Sequence, residues 1–518
     1  MMYYYMKSCL VILILLFITG CASDATVSID NSAASVQAAP EVNRRVLGSN
    51  LQWTDSGDGI LQAGSTSFAA VPLSQAVALA PTVLRYPGGG QADAYDWRQG
   101  VGATRGTCMH VFTGAMQTVY FGTDEFLALC TQTGAAPLFT LNVVNGTPAD
   151  SAAWVSYVNH PPAGPLVARD WEVGNEPYYQ NSQNPASDMT AAQYAAAYNA
   201  HAAAVMAEDA RIRVGLPLLG PIDAALLPSA RRTWNADVLA ALNQRVDFVA
   251  VHDAYLPFNY TYAKATDTEM LRATLAGAPA VAADLDTMRT QLTAAGIHAP
   301  FAMTEHNTLM TVYGTWNPLP RSDGVTCSLA SAVYTADLVC TLAARNDVDS
   351  AEHWSLIGNW LFGTMYSDGT RRPSGNVLAG LGQAMTGRRL AVQVSGPTAN
   401  VPAFGAKPAQ TTMPLLGAFA CGSDDMVRTI LINRSPSRAL RVRLTYSTGA
   451  TAGSKATMRT LNALDPLHAY QYGTGAPDWA ASTVAADAGG VTVIVPAHAV
   501  VIVLLPAPTG GVTSMDKQ

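Results

Sequence analysis

Charge is scarce in this sequence. Lys, Arg, Asp and Glu together make up 13% of 518 residues. The small excess is acidic, a formal net charge of −7 with a pI near 5.7. That leaves no basic footprint for nucleic acid, and only a local basic pocket would offset the weak long-range repulsion of an anionic polymer. Cysteine is sparse as well, with seven in the chain. No CxxC or HxxxH spacing occurs, so no metal site is read and neither metal nor other cofactor is expected. No GxGxxG follows a strand in a dinucleotide context. What is abundant is apolar: 49% hydrophobic residues are ample for a large core and argue against global disorder.

The N-terminus reads as a targeting segment. Lys7 supplies a weak positive region, and the apolar run Leu10 to Ile18 follows it. The run is too short for a bilayer span of about 20 residues and suits a signal peptide over residues 1–20. Ile18-Thr19-Gly20-Cys21 then resembles a bacterial lipobox, which makes Cys21 the lipidation site and the chain an exported cell-envelope lipoprotein. Ordinary cleavage and secretion is the alternative. Residues 21–41, rich in Ala and Ser, read as a flexible tether. Cys108, Cys130, Cys327, Cys340 and Cys421 remain, and their pairing is not readable from sequence.

Beyond the tether, apolar runs alternate with helical patterns. Eight candidate strands are 47–53, 82–87, 137–144, 168–175, 211–217, 247–252, 300–305 and 350–356. Helices are expected over 124–133, 190–208, 284–295 and 328–345, with Thr190 as an N-cap and Gly134 and Gly296 as stops. Eight strands alternating with helices over residues 42–390 predict an α/β fold, a (β/α)8 TIM barrel. A doubly wound open sheet is the competitor. Residues 391–506 hold extended runs separated by turns and no long helix, which predicts a C-terminal antiparallel β-sandwich. Residues 507–518 read as a disordered tail.

Two carboxylates stand at predicted strand ends. Glu176 closes Trp171-Glu172-Val173-Gly174-Asn175-Glu176-Pro177, and Glu305 closes Phe301-Ala302-Met303-Thr304-Glu305. In a barrel these would be strands four and seven, opening on the C-terminal face where catalytic groups lie. A facing pair of carboxyls is what glycoside cleavage needs: one protonates the leaving oxygen, the other attacks or activates water. Trp53, Tyr95, Trp97, Tyr178, Tyr255, Trp354 and Trp360 are candidate sugar-stacking or core aromatics. Glu172 is the nearest rival to Glu176, although a mid-strand glutamate is expected at a helix–strand interface, paired with an arginine.

The sequence resembles the clan A glycoside hydrolases, and most of all the family 51 α-L-arabinofuranosidases. Arg85-Tyr86-Pro87-Gly88-Gly89, then Tyr95-Asp96-Trp97 and Gly100-Val101-Gly102, residues 121–159, the WEVGNEP run and Glu305 carry the resemblance, which extends from about residue 42 to 505. It implies a retaining double displacement on a polysaccharide or oligosaccharide, with Glu176 as general acid/base and Glu305 as nucleophile. It places Asn175 on the sugar 2-hydroxyl, Arg85 beneath the nucleophile, His252 and Tyr255 beside it, and Trp354 as the strand-eight aromatic. Gln52 stands where a sugar-binding glutamate is usual, Gly90 where an asparagine is usual, and His306 where a tryptophan is usual. His252 and Tyr255 are one residue further apart than the expected His-x-Tyr. These departures touch recognition, so a uronide, xyloside or galactofuranoside is the alternative substrate, and a catalytically silent glycan-binding lipoprotein the alternative class.

Overall fold

A computed structural model describes residues 24–506, apart from 162, 225, 226, 229, 230, 258–264, 310–323 and 424. The signal segment, Cys21 and the tail beyond 506 lie outside the described residues.

Eight parallel strands form the barrel: β1 (Gly48–Asn50), β2 (Val83–Tyr86), β3 (Ala136–Leu141), β4 (Asp170–Val173), β5 (Arg213–Pro217), β6 (Phe248–Ala250), β7 (Phe301–Asn307) and β8 (Val348–His353). Each pairs with the next, and β8 pairs with β1 through Glu352↔Gly48, which closes the sheet. Closure removes the sheet edges and sets every alternate side chain inward. The register shows the two faces. Tyr86, Phe139 and Trp171 are laterally paired and stack toward the helix layer, with Phe139 and Trp171 rings 4.7 Å apart. Residues one position away, Arg85, Thr140 and Glu172, point into the barrel.

Helices brace the strand ends. The helix Ala191–Glu208 starts at Thr190, whose side chain accepts from Gln193 N–H while Gln193 reaches back, a capping box. From that helix Tyr194 donates to the Val173 carbonyl at 2.9 Å, fixing the end of β4 just before Glu176. The helix Leu329–Ala343 is buried on nearly all sides because it sits between the barrel and the second domain.

That second domain is a sandwich of two sheets. One holds Leu416–Ser423, Met426–Asn433, Val500–Pro506, Lys455–Leu461 and Ala480–Ala485, with Arg388–Arg389 at its edge. The other holds Ala391–Ser395, Ala25–Asp30, Leu440–Tyr446 and Val491–Val495. Alternation is strict along 440–446, where Leu440, Val442 and Leu444 are buried and Arg441 and Arg443 face outward. The tether expectation for residues 21–41 is corrected here. Ala25–Asp30 is a strand, antiparallel to 391–395 and parallel to 440–446, the one parallel pair of that domain among the described residues. Ala25, Val27 and Ile29 are buried, and each large side chain contributes about 1.5–3 kcal/mol. A short alternating strand inside an Ala- and Ser-rich stretch carries little signal until its partner strands are known. Helix Ala33–Ala38, capped by Ser32, fills most of the remaining stretch.

The domains are joined by a buried pair. Arg434 Nε and Nη2 each donate to Asp337 at 2.6 Å, linking the sandwich to the helix Leu329–Ala343. All five described cysteines are buried and unpaired.

Candidate active site

Arg85, in β2, is fully buried and surrounded by oxygen. Nε donates to Glu172 at 2.5 Å, Nη1 to Asn50 at 3.1 Å and Glu305 at 2.8 Å, and Nη2 to Asn175 at 2.8 Å. Burial alone would lower its pKa; the charges of Glu172 and Glu305 more than offset that and raise it. A buried cation needs such partners, and removing one would leave an uncompensated charge. Arg85 therefore fixes three strand ends at once.

Glu305 is 4% exposed. Its Oε1 takes the Arg85 bond and its Oε2 accepts from the Tyr255 hydroxyl at 2.5 Å. Burial, then the Glu305 charge, push the phenol well above its ordinary range, so Tyr255 stays a donor. The longer His252–Tyr255 spacing is absorbed by a short extension of the sheet: Ala254 and Tyr255 pair in parallel with His306 and Asn307.

His252 lies two residues beyond β6 and is buried. Nδ1 is 3.0 Å from Glu176 Oε1 and 3.7 Å from Glu305 Oε2, and Nε2 is 3.0 Å from Thr304 Oγ1. Burial lowers its pKa, but Glu305 and Glu176 outweigh this and raise it. Oxygens thus face both ring nitrogens. Glu176 follows β4 in a left-handed conformation, φ +38°, and its side chain is 25% exposed. It reaches solvent while Glu305 does not. An oxygen of Glu176, one of Glu305 and a nitrogen of His252 all lie within 4.8 Å of one another. Those three donors could also approach a divalent cation, but Arg85 already neutralises Glu305 from 2.8 Å.

The remaining predicted residues ring this centre. Trp354, after β8, packs against Gly88 and Gly89: a methyl at either would stand 2.5 or 2.6 Å from its ring. Gly89 also has φ +66°. Gln52, after β1, sets its Nε2 beside Gly89 and receives backbone support from Asp58 Oδ2 at 3.1 Å. Burial pushes Asp58 up to about 7. Gln52, Asp58, Gln91, His110, Phe112 and Trp360 line part of a cavity of about 510 Å3, with Phe112 and Trp360 exposed at its rim. Trp53, Tyr95 and Tyr178 are instead in the core, and Trp97 packs against it. His306 is fully buried and stands edge-on to His353 at 5.3 Å, so it does not line the mouth as a recognition residue.

Three groups at this centre, Thr140, Thr304 and Asn50, were not singled out in the sequence, and a fourth, Glu172, stands elsewhere than expected. Glu172 pairs with an arginine as expected, but inside the barrel, not at a helix interface; Thr140 and Thr304 also donate to it, at 3.3 and 3.1 Å. Asn50 is two residues before Gln52, and alternation along β1 would have found it. Thr304 and Glu305 are adjacent yet both face the interior, because the β7–β8 register shifts between Met303 and His306. Such a shift is invisible to alternation.

Comparison with known proteins points the same way. Residues 75–216 match the alpha-L-arabinofuranosidase 1 domain. An intracellular exo-alpha-L-arabinofuranosidase of Bacteroides ovatus is 37% identical over 92 residues, 17% of this chain and 18% of that protein. The matched segment thus spans under a fifth of that relative. Likeness in structure is broader. An alpha-L-arabinofuranosidase from Thermotoga maritima, solved with arabinose, superposes with a TM-score of 0.76 at 19% identity, over 93% of this chain and all of that one. A family 51 alpha-L-arabinofuranosidase from Bifidobacterium longum gives 0.77 at 19%, over 94% of this chain and all of that one. The chain therefore has the barrel-and-sandwich fold of those enzymes.

Proposed function

We propose that this chain is a retaining glycoside hydrolase that cleaves α-L-arabinofuranosidic bonds in oligosaccharide or polysaccharide. The observation that carries the reading is the approach of Glu176 and Glu305 oxygens to within 4.8 Å. Retaining pairs stand about 5–5.5 Å apart and inverting pairs about 6.5–9.5 Å, which leaves room for water between them.

Glu305 is the nucleophile. Arg85 and Tyr255 hold its two oxygens, so the carboxylate is charged and aimed. Glu176 is the acid/base. It protonates the leaving oxygen as Glu305 bonds to the anomeric carbon, then deprotonates the water that frees the sugar. His252 touches Glu176 and orients it. Asn175, its Oδ1 taken by Arg85, leaves Nδ2 for the sugar 2-hydroxyl. Trp354 walls the sugar on the β8 side. The cavity beside Gln52 is lined by Asp55 and Asp58 and, among the described residues, by no Lys or Arg.

The test is the stereochemistry of the first-formed product by NMR, with Glu176→Gln and Glu305→Gln as controls. Retention, with both variants impaired, is expected. Inversion, or full activity in both variants, would sink the mechanism. We also propose export and lipidation at Cys21. Intact-mass analysis of the membrane-extracted protein should show a diacylglyceryl-sized increment that Cys21→Ser abolishes; an unmodified mature N-terminus would refute it.

A further inference from the structure

Gly90 poses a question that its backbone does not answer. Unlike Gly89, it is not in a positive-φ conformation, so its φ does not call for glycine. What stands in the way of a side chain is Asn181. A methyl there would meet Asn181 Oδ1 at 2.5 Å, with Asn181 Cγ at 3.1 Å. The amide of Asn181 therefore lies over the glycine, in the place where residue 90 would otherwise project.

Asn181 is held there from three directions. Its Nδ2 donates to Asp93 Oδ2 at 2.6 Å, its backbone N–H to Ser187 Oγ at 2.6 Å, and its carbonyl accepts from Asn184 N–H at 3.1 Å. Asp93 is 2% exposed and lies close enough to Glu176 to feel its charge. The loop bearing Asn181 begins at Glu176 itself, where Tyr179 N–H donates to the Glu176 carbonyl at 2.8 Å. Asn181 is half-buried, and its Oδ1 has no partner among the described residues. Along the same Gly88–Gly90 arc stand the Trp354 ring and Gln52 Nε2, the latter 3.2 Å from the methyl position of Gly89.

We propose that Asn181 is a specificity-determining residue of this site, its Oδ1 accepting a hydroxyl of the glycone while Gln52 Nε2 donates to a neighbouring oxygen. An amide donor over Gly89 and an amide acceptor over Gly90 suit neighbouring hydroxyls of a neutral sugar. They offer no counter-charge to a carboxylate. Because three bonds already fix Asn181, little ordering accompanies binding. The assignment rests on the glycosidase reading above.

The experiment compares wild type, Asn181→Ala, Gly90→Ala and the double variant on 4-nitrophenyl α-L-arabinofuranoside and its 2-, 3- and 5-deoxy analogues. Loss of one neutral hydrogen bond to substrate should lower kcat/KM for Asn181→Ala by roughly tenfold on the parent glycoside. The penalty should vanish on the one analogue that lacks the hydroxyl Asn181 reads. Gly90→Ala, which displaces the amide, should reproduce that selectivity without adding to it in the double variant. Unchanged kcat/KM, or an equal penalty on every analogue as a merely structural residue would give, overturns the assignment. Absence of turnover by wild type on every furanoside removes the proposed function and this inference with it.

Discussion

Tyr255→Phe removes one oxygen atom and one hydrogen bond, the 2.5 Å contact with Glu305 Oε2. Arg85 still holds Oε1, so the carboxylate stays in place and charged. The two half-reactions should then respond differently. In the first, Glu305 loses its charge as it bonds to the sugar, so the tyrosine bond weakens along the way and its absence costs little beyond orientation. In the second, Glu305 leaves as a carboxylate and the tyrosine bond re-forms. A hydrogen bond to a charged group contributes about 1.5–3 kcal/mol, which slows that step about ten- to a hundredfold. On an aryl glycoside with a good leaving group, the second step limits turnover. Stopped-flow measurement should therefore show a burst of aryl product, with kcat and KM falling together. Burst-free kinetics with kcat within twofold of wild type, or a raised KM at unchanged kcat, would refute the assignment of Tyr255 to the nucleophile.

Other outcomes follow from the same geometry. Glu176→Gln should lose activity steeply as the leaving group becomes more basic and retain the first half-reaction on dinitrophenyl glycosides, whereas Glu305→Gln should be inactive on all; the leaving-group series separates the two roles. Glu352, buried in β8, is pushed by desolvation from 4.5 up to about 8. Between those values the folded state keeps a proton that the unfolded state has shed, so its contribution to stability falls as pH rises. Glu352→Gln should remove that slope and gain on wild type by on the order of a few kcal/mol toward pH 8, measured by urea unfolding across the window; parallel pH profiles would contradict it. Arg434→Met strands the nearly buried Asp337 carboxylate and should cost about 3–5 kcal/mol in the same assay, while Arg434→Met with Asp337→Leu recovers much of it.

The sequence carried the barrel because eight apolar strands and capped helices follow one period each, and that signal is local. It pointed to Glu176 and Glu305 because strand ends are where a barrel exposes chemistry, whereas Arg85 came only with the family resemblance. Thr304 escaped because a register shift turns two successive residues inward, and Tyr255 looked misplaced because the two-residue pairing with His306 and Asn307 was not foreseeable. His306 looked like a recognition residue by position, yet its side chain is on the wrong side of the strand, against His353. The strand Ala25–Asp30 was missed for a different reason: its partners are more than 350 residues away.

That strand changes what an anchor at Cys21 would mean. Asp24 is already tied down, its N–H to the Arg441 carbonyl and its carboxylate to Arg438 and the Arg441 N–H. Only residues 22 and 23 separate it from Cys21, a reach of about 11 Å even when fully extended. A lipidated chain would not float above its membrane on a leash. It would be seated close to it, with the start of the strand Ala25–Asp30 toward the bilayer.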